Sequence, residues 1–364
     1  LLADARSLMS RRPAGRVAIL GAYRSAPGQR IRGAVRSVRA GPAGLELLDW
    51  RPQPNPSALA FHPTRAVVYA VSERAPGAVV AYEVSETDGR LRPTDAVATG
   101  DDGPCHCAVG PRGQLLLVAH YTGGSVAAID LRADGGFAGP ARTHRHTGSG
   151  PNPDRQRAAH PHAVVFVTDE LVYVPDLGAD RLVVYELDHA TSRLQPLAGR
   201  SVACPAGAGP RQLAVHARVP VGYLLCELDG SLLILDLETP ERPSISGAVA
   251  TLPSEALSGP GGTSAAAVAV HPAGYLYCST RGHDSITVFD LERPRKPVRR
   301  AVVSSGGARP RTLTIAPNGQ RLYVCHPPSD GLDVFDLDPE TGTLTPSTEG
   351  LLTPAPASLR FLSE

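Results

Sequence analysis

PASLRFL, residues 356–362, reads as a β-strand with no partner after it in the chain. Its pattern, a proline or small residue leading a short apolar run, occurs six times before: PSALAFHP (56–63), PCHCAVGP (104–111), PHAVVFVT (161–168), PRQLAVHA (210–217), AAAVAVHP (265–272) and PRTLTIAP (310–317). Each of the six is followed by a second apolar run, such as VVYAVSE (67–73) or LYCSTR (276–281). A third element then ends in AYEV (81–84), AAIDL (127–131), VVYEL (183–187), LILDL (233–237), TVFDL (287–291) or DVFDL (333–337). The anchors of that third element, Tyr82, Ile129, Tyr185, Leu235, Phe289 and Phe335, are spaced 47, 56, 50, 54 and 46 residues apart.

Helix-period segments are absent, and Gly and Pro punctuate the chain. Units of three or four short strands at a period near fifty point to an all-β fold, a β-propeller whose blades bury their faces against neighbours. The first unit, VAILGAY (17–23), RIRGAVRSV (30–38) and LELLDW (45–50), lacks an entry strand. PASLRFL supplies it, so seven blades are expected, with the ring closed by strands from both ends and no edge left open. Residues 1–16 are expected to be a poorly ordered extension and 17–364 a single propeller domain.

In an antiparallel pair, the start of the entry strand and the end of the next strand share one face of the ring. Around the blades, the residue after the entry position is Ser57, Cys105, His162, Arg211, Ala266, Arg311 and Ala357. The second strands end in Ser72–Glu73, His120–Tyr121, Asp176–Leu177, Cys226–Glu227, Thr280–Arg281 and His326–Pro327. These slots differ from blade to blade while the apolar positions beside them hardly change. That is the signature of a site grafted on a symmetric scaffold. Arg155 and His160, on the basic loop RQRAAHPH (155–162), adjoin the same face, where Arg155 could close over a ligand. The arginines imply a small anionic ligand, since an unpaired buried guanidinium is costly. Histidine titrates near neutral pH, which makes His162 the leading candidate for proton transfer. Internal pairing with Glu73, Asp176 and Glu227 is the bland alternative.

Composition narrows the classes. Net charge is +1, so nothing draws the chain generally toward nucleic acid or membrane. The cationic side chains are arginine except Lys296. Six scattered cysteines read as reduced thiols, and Cys105-x-Cys107 is too little for zinc, which takes four ligands. His106, His120, His160 and His162 are irregularly spaced for a metal site, so neither metal nor cofactor is expected. The first sixteen residues lack the apolar core of a signal peptide, and no apolar run reaches 18 residues. A cytoplasmic monomer is expected.

NPSALAFHP…VYAVSE, PCHCAVGPRG…VAHYTGGSV, RQRAAHPHAVVF…VPDLGAD, GPRQLAVH…CEL, LYCSTRGHDSITVF and PRTLTIAPNGQRLYV…DVFDLDPETG together resemble the seven-bladed lactonase family. That family includes propeller 6-phosphogluconolactonases and carboxymuconate-lactonizing enzymes. The resemblance implies His162, Arg211, Glu227 and Arg281 as catalytic residues. Glu73, His120, Arg155, His160, Asp176, Arg311 and His326 are then expected to bind substrate. A glutamate usual in the family is Ala267 here, and asparagines usual before Glu73, Tyr121, Glu227 and Arg281 are Ser72, His120, Cys226 and Thr280. Hydrolysis of a small anionic lactone is the implied reaction. The alternatives are a cycloisomerase or recruited biosynthetic cyclase, and a non-catalytic propeller scaffold.

Overall fold

A computed structural model describes residues 15–23, 33–41, 44–257 and 262–362. Positions 1–14 of the expected extension, and 30–32 of an expected strand, lie outside the described residues.

Seven antiparallel sheets form the ring, six of them with strands in chain order from centre to rim. Blade 1 alone departs from that order. Pro356–Phe361 pairs with Arg16–Ala22 (Leu20 opposite Leu359, Ile19 opposite Arg360), and Ala34–Gly41 and Gly44–Pro52 follow outward. The last strand thus becomes the innermost strand of the first blade, and the ring closes as expected from PASLRFL.

Burial explains the sequence pattern. Second strands such as Leu171–Asp176 in blade 4 and Val221–Cys226 in blade 5 are buried along their whole length, so they read as unbroken apolar runs. Outermost strands such as Ser244–Ala250 alternate between exposed and half-buried positions, as a sheet edge facing solvent should. Each apolar core lies between two blades rather than within one. Tyr69, Val71 and Val79 of blade 2, for example, pack on Leu116, Val118 and Ile129 of blade 3. The last such core joins Tyr323 and Val334 of blade 7 to Leu20 and Leu359 of blade 1.

A tyrosine at the third position of several second strands fastens one blade to the next. Tyr69 Oη donates to Gly135 O at 2.7 Å, Tyr223 Oη to Pro294 O at 2.9 Å and Tyr277 Oη to Gly342 O at 3.0 Å. Tyr173 makes the matching bond to Pro240 O. Two histidines make further bonds to the next blade: His62 Nε2 meets Gly113 O at 3.0 Å and His271 Nε2 meets Gly319 O at 2.9 Å. These stitches fasten neighbouring blades at the end of the ring away from the channel mouth.

Candidate functional site

Two features of the strand ladders set which side chains reach the mouth. The first is a bulge at the entry slot. In blade 5 Pro210 pairs with Cys226 and Gln212 with Leu225, so Arg211 is skipped by the ladder. Cys105 is skipped likewise in blade 3 and Ala357 in blade 1. A bulged residue is re-aimed relative to its strand, which releases Arg211 toward its neighbours across the mouth.

The second feature is parity at the strand exit. The first exit positions, Ser72, His120, Asp176, Cys226, Thr280 and His326, are all at most 2% exposed. They turn into the protein between blades. The next residue lies on the other face of the strand, and Glu73, Tyr121, Glu227 and Arg281 occupy those positions.

Glu227 is the hub. Its Oε2 accepts from Arg211 Nε at 2.8 Å and lies 2.8 Å from Arg281 Nη2; its Oε1 accepts from Arg155 Nη2 at 2.6 Å. The carboxylate is 2% exposed. Burial would raise its pKa, but Arg281, Arg211, His162 and Arg155 together hold it far below the carboxylate range. It is a fixed anion. Arg211 also donates to Ala266 O, and burial, reinforced by Arg281 and Arg311, brings its pKa down to about 10. Arg281 donates to Ser264 O and Ala265 O.

Arg311 and Glu73 form a second, looser pair at 3.5 Å. Tyr23 completes it, donating to Glu73 Oε2 at 2.8 Å while its ring lies 5.1 Å beneath the Arg311 guanidinium. Four guanidiniums (155, 211, 281, 311) against two carboxylates (73, 227) leave a positive excess of two at the mouth.

His162 stands beside this cluster, half-buried on the wall of the central cavity, with its ring edge-on to Tyr121 at 5.5 Å between centroids. Burial first, then Arg211, pushes its pKa well below the ordinary value, so the imidazole is neutral at neutral pH.

Arg155 is held rather than free. Gln156, fully buried, donates to Leu177 O at 2.8 Å and accepts from Asn152 N at 3.1 Å. A Cβ on Gly178 would meet Ala158 O at 1.8 Å, so the loop lies directly on the blade 4 turn. Tyr121 Oη adds a 3.1 Å bond to Arg155 Nη2. The loop that was expected to close over a ligand is already seated.

Three expected substrate-binding residues are not brought to the mouth. Asp176 Oδ1 accepts from His160 N at 2.7 Å and Ala179 N at 3.1 Å, and Oδ2 meets His146 Nδ1 at 2.7 Å. His120 lies against Ser125 Oγ at 3.2 Å and is wholly buried. His326, also wholly buried, has Nδ1 2.8 Å from Asp333 Oδ2, but off the line of a hydrogen bond. All three hold first exit positions, so parity turns them inward. His160 borders the site as a support: its ring stacks on Tyr121 at 4.5 Å, and Nδ1 meets Tyr121 O at 2.6 Å. Tyr121 and Tyr23 went unselected in the sequence reading; exit parity would have found Tyr121. Among the described residues, no three His, Cys, Asp or Glu side chains gather as a cation's ligands.

The family model for the seven-bladed β-propeller lactonases matches residues 18–361. The chain belongs to that family. A 6-phosphogluconolactonase of Bacillus subtilis is 29% identical over 316 residues, 85% of this chain and 88% of that protein. One of Formosa agariphila is 25% identical over 85% of this chain and 89% of its own length. Among solved structures, the periplasmic gluconolactonase of Pseudomonas aeruginosa superposes with a TM-score of 0.87 at 28% identity, covering 96% of this chain and 99% of that one. Among the described residues, no helix is long and apolar enough to cross a membrane.

Proposed function

We propose that this lactonase-family protein hydrolyses a small phosphorylated sugar lactone of the 6-phosphogluconolactone kind, as a cytoplasmic monomer. The observation that carries the reading is the arginine-rich mouth: a fixed carboxylate gathers three guanidiniums beside a neutral histidine. The positive excess attracts the anionic substrate. Arg281 and Arg211, already oriented by Glu227, stabilise the oxyanion as water adds to the ring carbonyl. His162 takes the proton from that water and returns it to the ring oxygen as the carbonyl carbon–oxygen bond breaks. The product is the open-chain hydroxy acid, which ionises and releases one proton to solution.

Glu227 fits the base role poorly, because its oxygens already accept from arginines and its proton affinity is low. It acts as the anchor of the cluster. The same neutral histidine argues against the cyclase reading, which needs an acid to protonate an unsaturated substrate. A non-catalytic scaffold has no use for converging buried guanidiniums.

The test is proton release from 6-phosphogluconolactone above its spontaneous opening. Wild-type protein should accelerate it, and His162→Ala and Arg281→Gln should each lower kcat by about a hundredfold or more. Failure of wild-type protein to open any sugar lactone would remove the hydrolase reading.

A further inference from the structure

Below the mouth, the cavity continues down the channel between the inner strands, with about 60 Å³ of room where a single water needs roughly 10–15 Å³. Most polar side chains at this level are spent on joining neighbouring blades. Gln212 accepts from Val268 N at 2.9 Å, His106 Nδ1 from Val164 N at 3.3 Å, and Thr312 and Thr314 donate to Ala357 O and Leu359 O at 2.7 and 2.8 Å.

Arg360 is different. It lines the same cavity from near the end of the closing strand, and it has neither ion pair nor hydrogen bond among the described residues. Its side chain is exposed where it lines the channel. Ser57 and Ser358 border this cavity too, but both are more than nine-tenths buried and their hydroxyl oxygens are covered by protein rather than open to the lumen. A guanidinium without a protein partner offers its planar fork of donors to an anion with several oxygens. His106 is half-buried on the wall of the same cavity. As a neutral ring that accepts at Nδ1, it presents Nε2–H as a further donor.

Depth supplies a measure. Arg360 lies three residues beyond the Ala357 slot, which at about 3.3 Å per residue is roughly 10 Å below the mouth. In a six-carbon lactone phosphorylated at the far end, the phosphorus sits roughly 7–8 Å from the ring carbonyl by ordinary bond lengths. With the ring at Arg211, Arg281 and His162, such a substrate places its phosphate within reach of Arg360.

We propose that Arg360 binds the terminal phosphate of the substrate inside the channel and so selects phosphorylated over unphosphorylated sugar lactones. The assignment rests on the lactonase reading for the position of the ring, but the anion site can be tested apart from it. Titration calorimetry would compare 6-phosphogluconate, gluconate and inorganic phosphate on wild-type protein, Arg360→Gln and Arg360→Lys. Wild-type protein should prefer 6-phosphogluconate to gluconate. Arg360→Gln should cut that preference, and the matching kcat/KM ratio for the two lactones, by about ten- to a hundredfold. Arg360→Lys, which keeps the charge and loses the fork, should retain part of it. An unchanged ratio in Arg360→Gln, or in Arg360→Lys where the glutamine variant does not fold, overturns the assignment. If wild-type protein opens no lactone yet binds 6-phosphogluconate through Arg360, the lactonase reading falls and the phosphate site stands. If lactone opening persists with the same selectivity in Arg360→Gln, the phosphate site falls and the lactonase reading stands.

Discussion

Glu227 and Asp176 are buried carboxylates at the ends of second strands in adjacent blades, yet they do opposite work. Asp176 spends both oxygens inside the protein, on two backbone N–H groups and on His146, whose Nε2 meets Tyr185 Oη at 2.8 Å. Glu227 spends its oxygens on three arginines that face the cavity mouth. One position in the repeat separates them. Asp176 sits opposite Pro161 where Cys226 sits opposite Pro210, so Glu227 corresponds to Leu177. One strand position changes the face, and the face decides between fastening a loop and building a site.

Replacing the hub should do most harm. Glu227→Gln leaves buried guanidiniums without their counter-ion, at an expected cost of about 3–5 kcal/mol in stability. Urea unfolding would measure it, and kcat should fall by at least a hundredfold because the arginines lose their orientation. Asp176→Asn should cost about 1–3 kcal/mol through the His160 and Ala179 amides and His146. Its kinetic signature should differ: a raised KM as the Arg155 loop loosens, with kcat reduced far less than in Glu227→Gln. Equal kinetic damage from both would erase the distinction between the two carboxylates.

Acid should act on the histidines of the mouth and channel. Burial chiefly holds His162 well below its usual pKa, and burial with Arg360 and Arg211 brings His106 down to about 3. As pH falls below about 6.5, the unfolded chain takes up protons at these sites before the folded protein does, so stability must fall. The contribution is complete above that pH and is lost on the way toward pH 3. Urea midpoints from pH 7 to pH 4 should decline, and His106→Gln should flatten part of the slope. The smallest effect is expected from Tyr121→Phe, which removes one hydroxyl from Arg155 and should cost about 0.5–1.5 kcal/mol or a few-fold in kcat/KM.

The fold was legible because repetition makes the unpaired PASLRFL strand meaningful; seven similar units and one orphan admit few arrangements. The mouth was legible only to the level of slots. His162, Arg211, Glu227 and Arg281 meet there, and Glu73 and Arg311 pair beside them. His120, Asp176 and His326 were drawn in by the same slot rule, which treated two successive exit positions as equivalent although a strand turns them to opposite faces. The bulge that frees Arg211 leaves no mark in the residue pattern. The Arg155–Glu227 contact bridges 72 positions and depends on how Gln156 and Gly178 seat the loop. Arg360 was hidden by its context, since a single arginine in a closing strand reads as a surface residue until the strand is seen to line the channel.

The pH dependence of kcat/KM for lactone opening tests the central claim most directly, because it reports the protonation of the free enzyme's base. If the neutral His162 beside the arginine cluster is that base, activity should persist well below pH 6.5, and His162→Gln should remove it across the whole range. An acid limb at an ordinary histidine pKa near 6.5, or a full profile surviving in His162→Gln, would contradict the account.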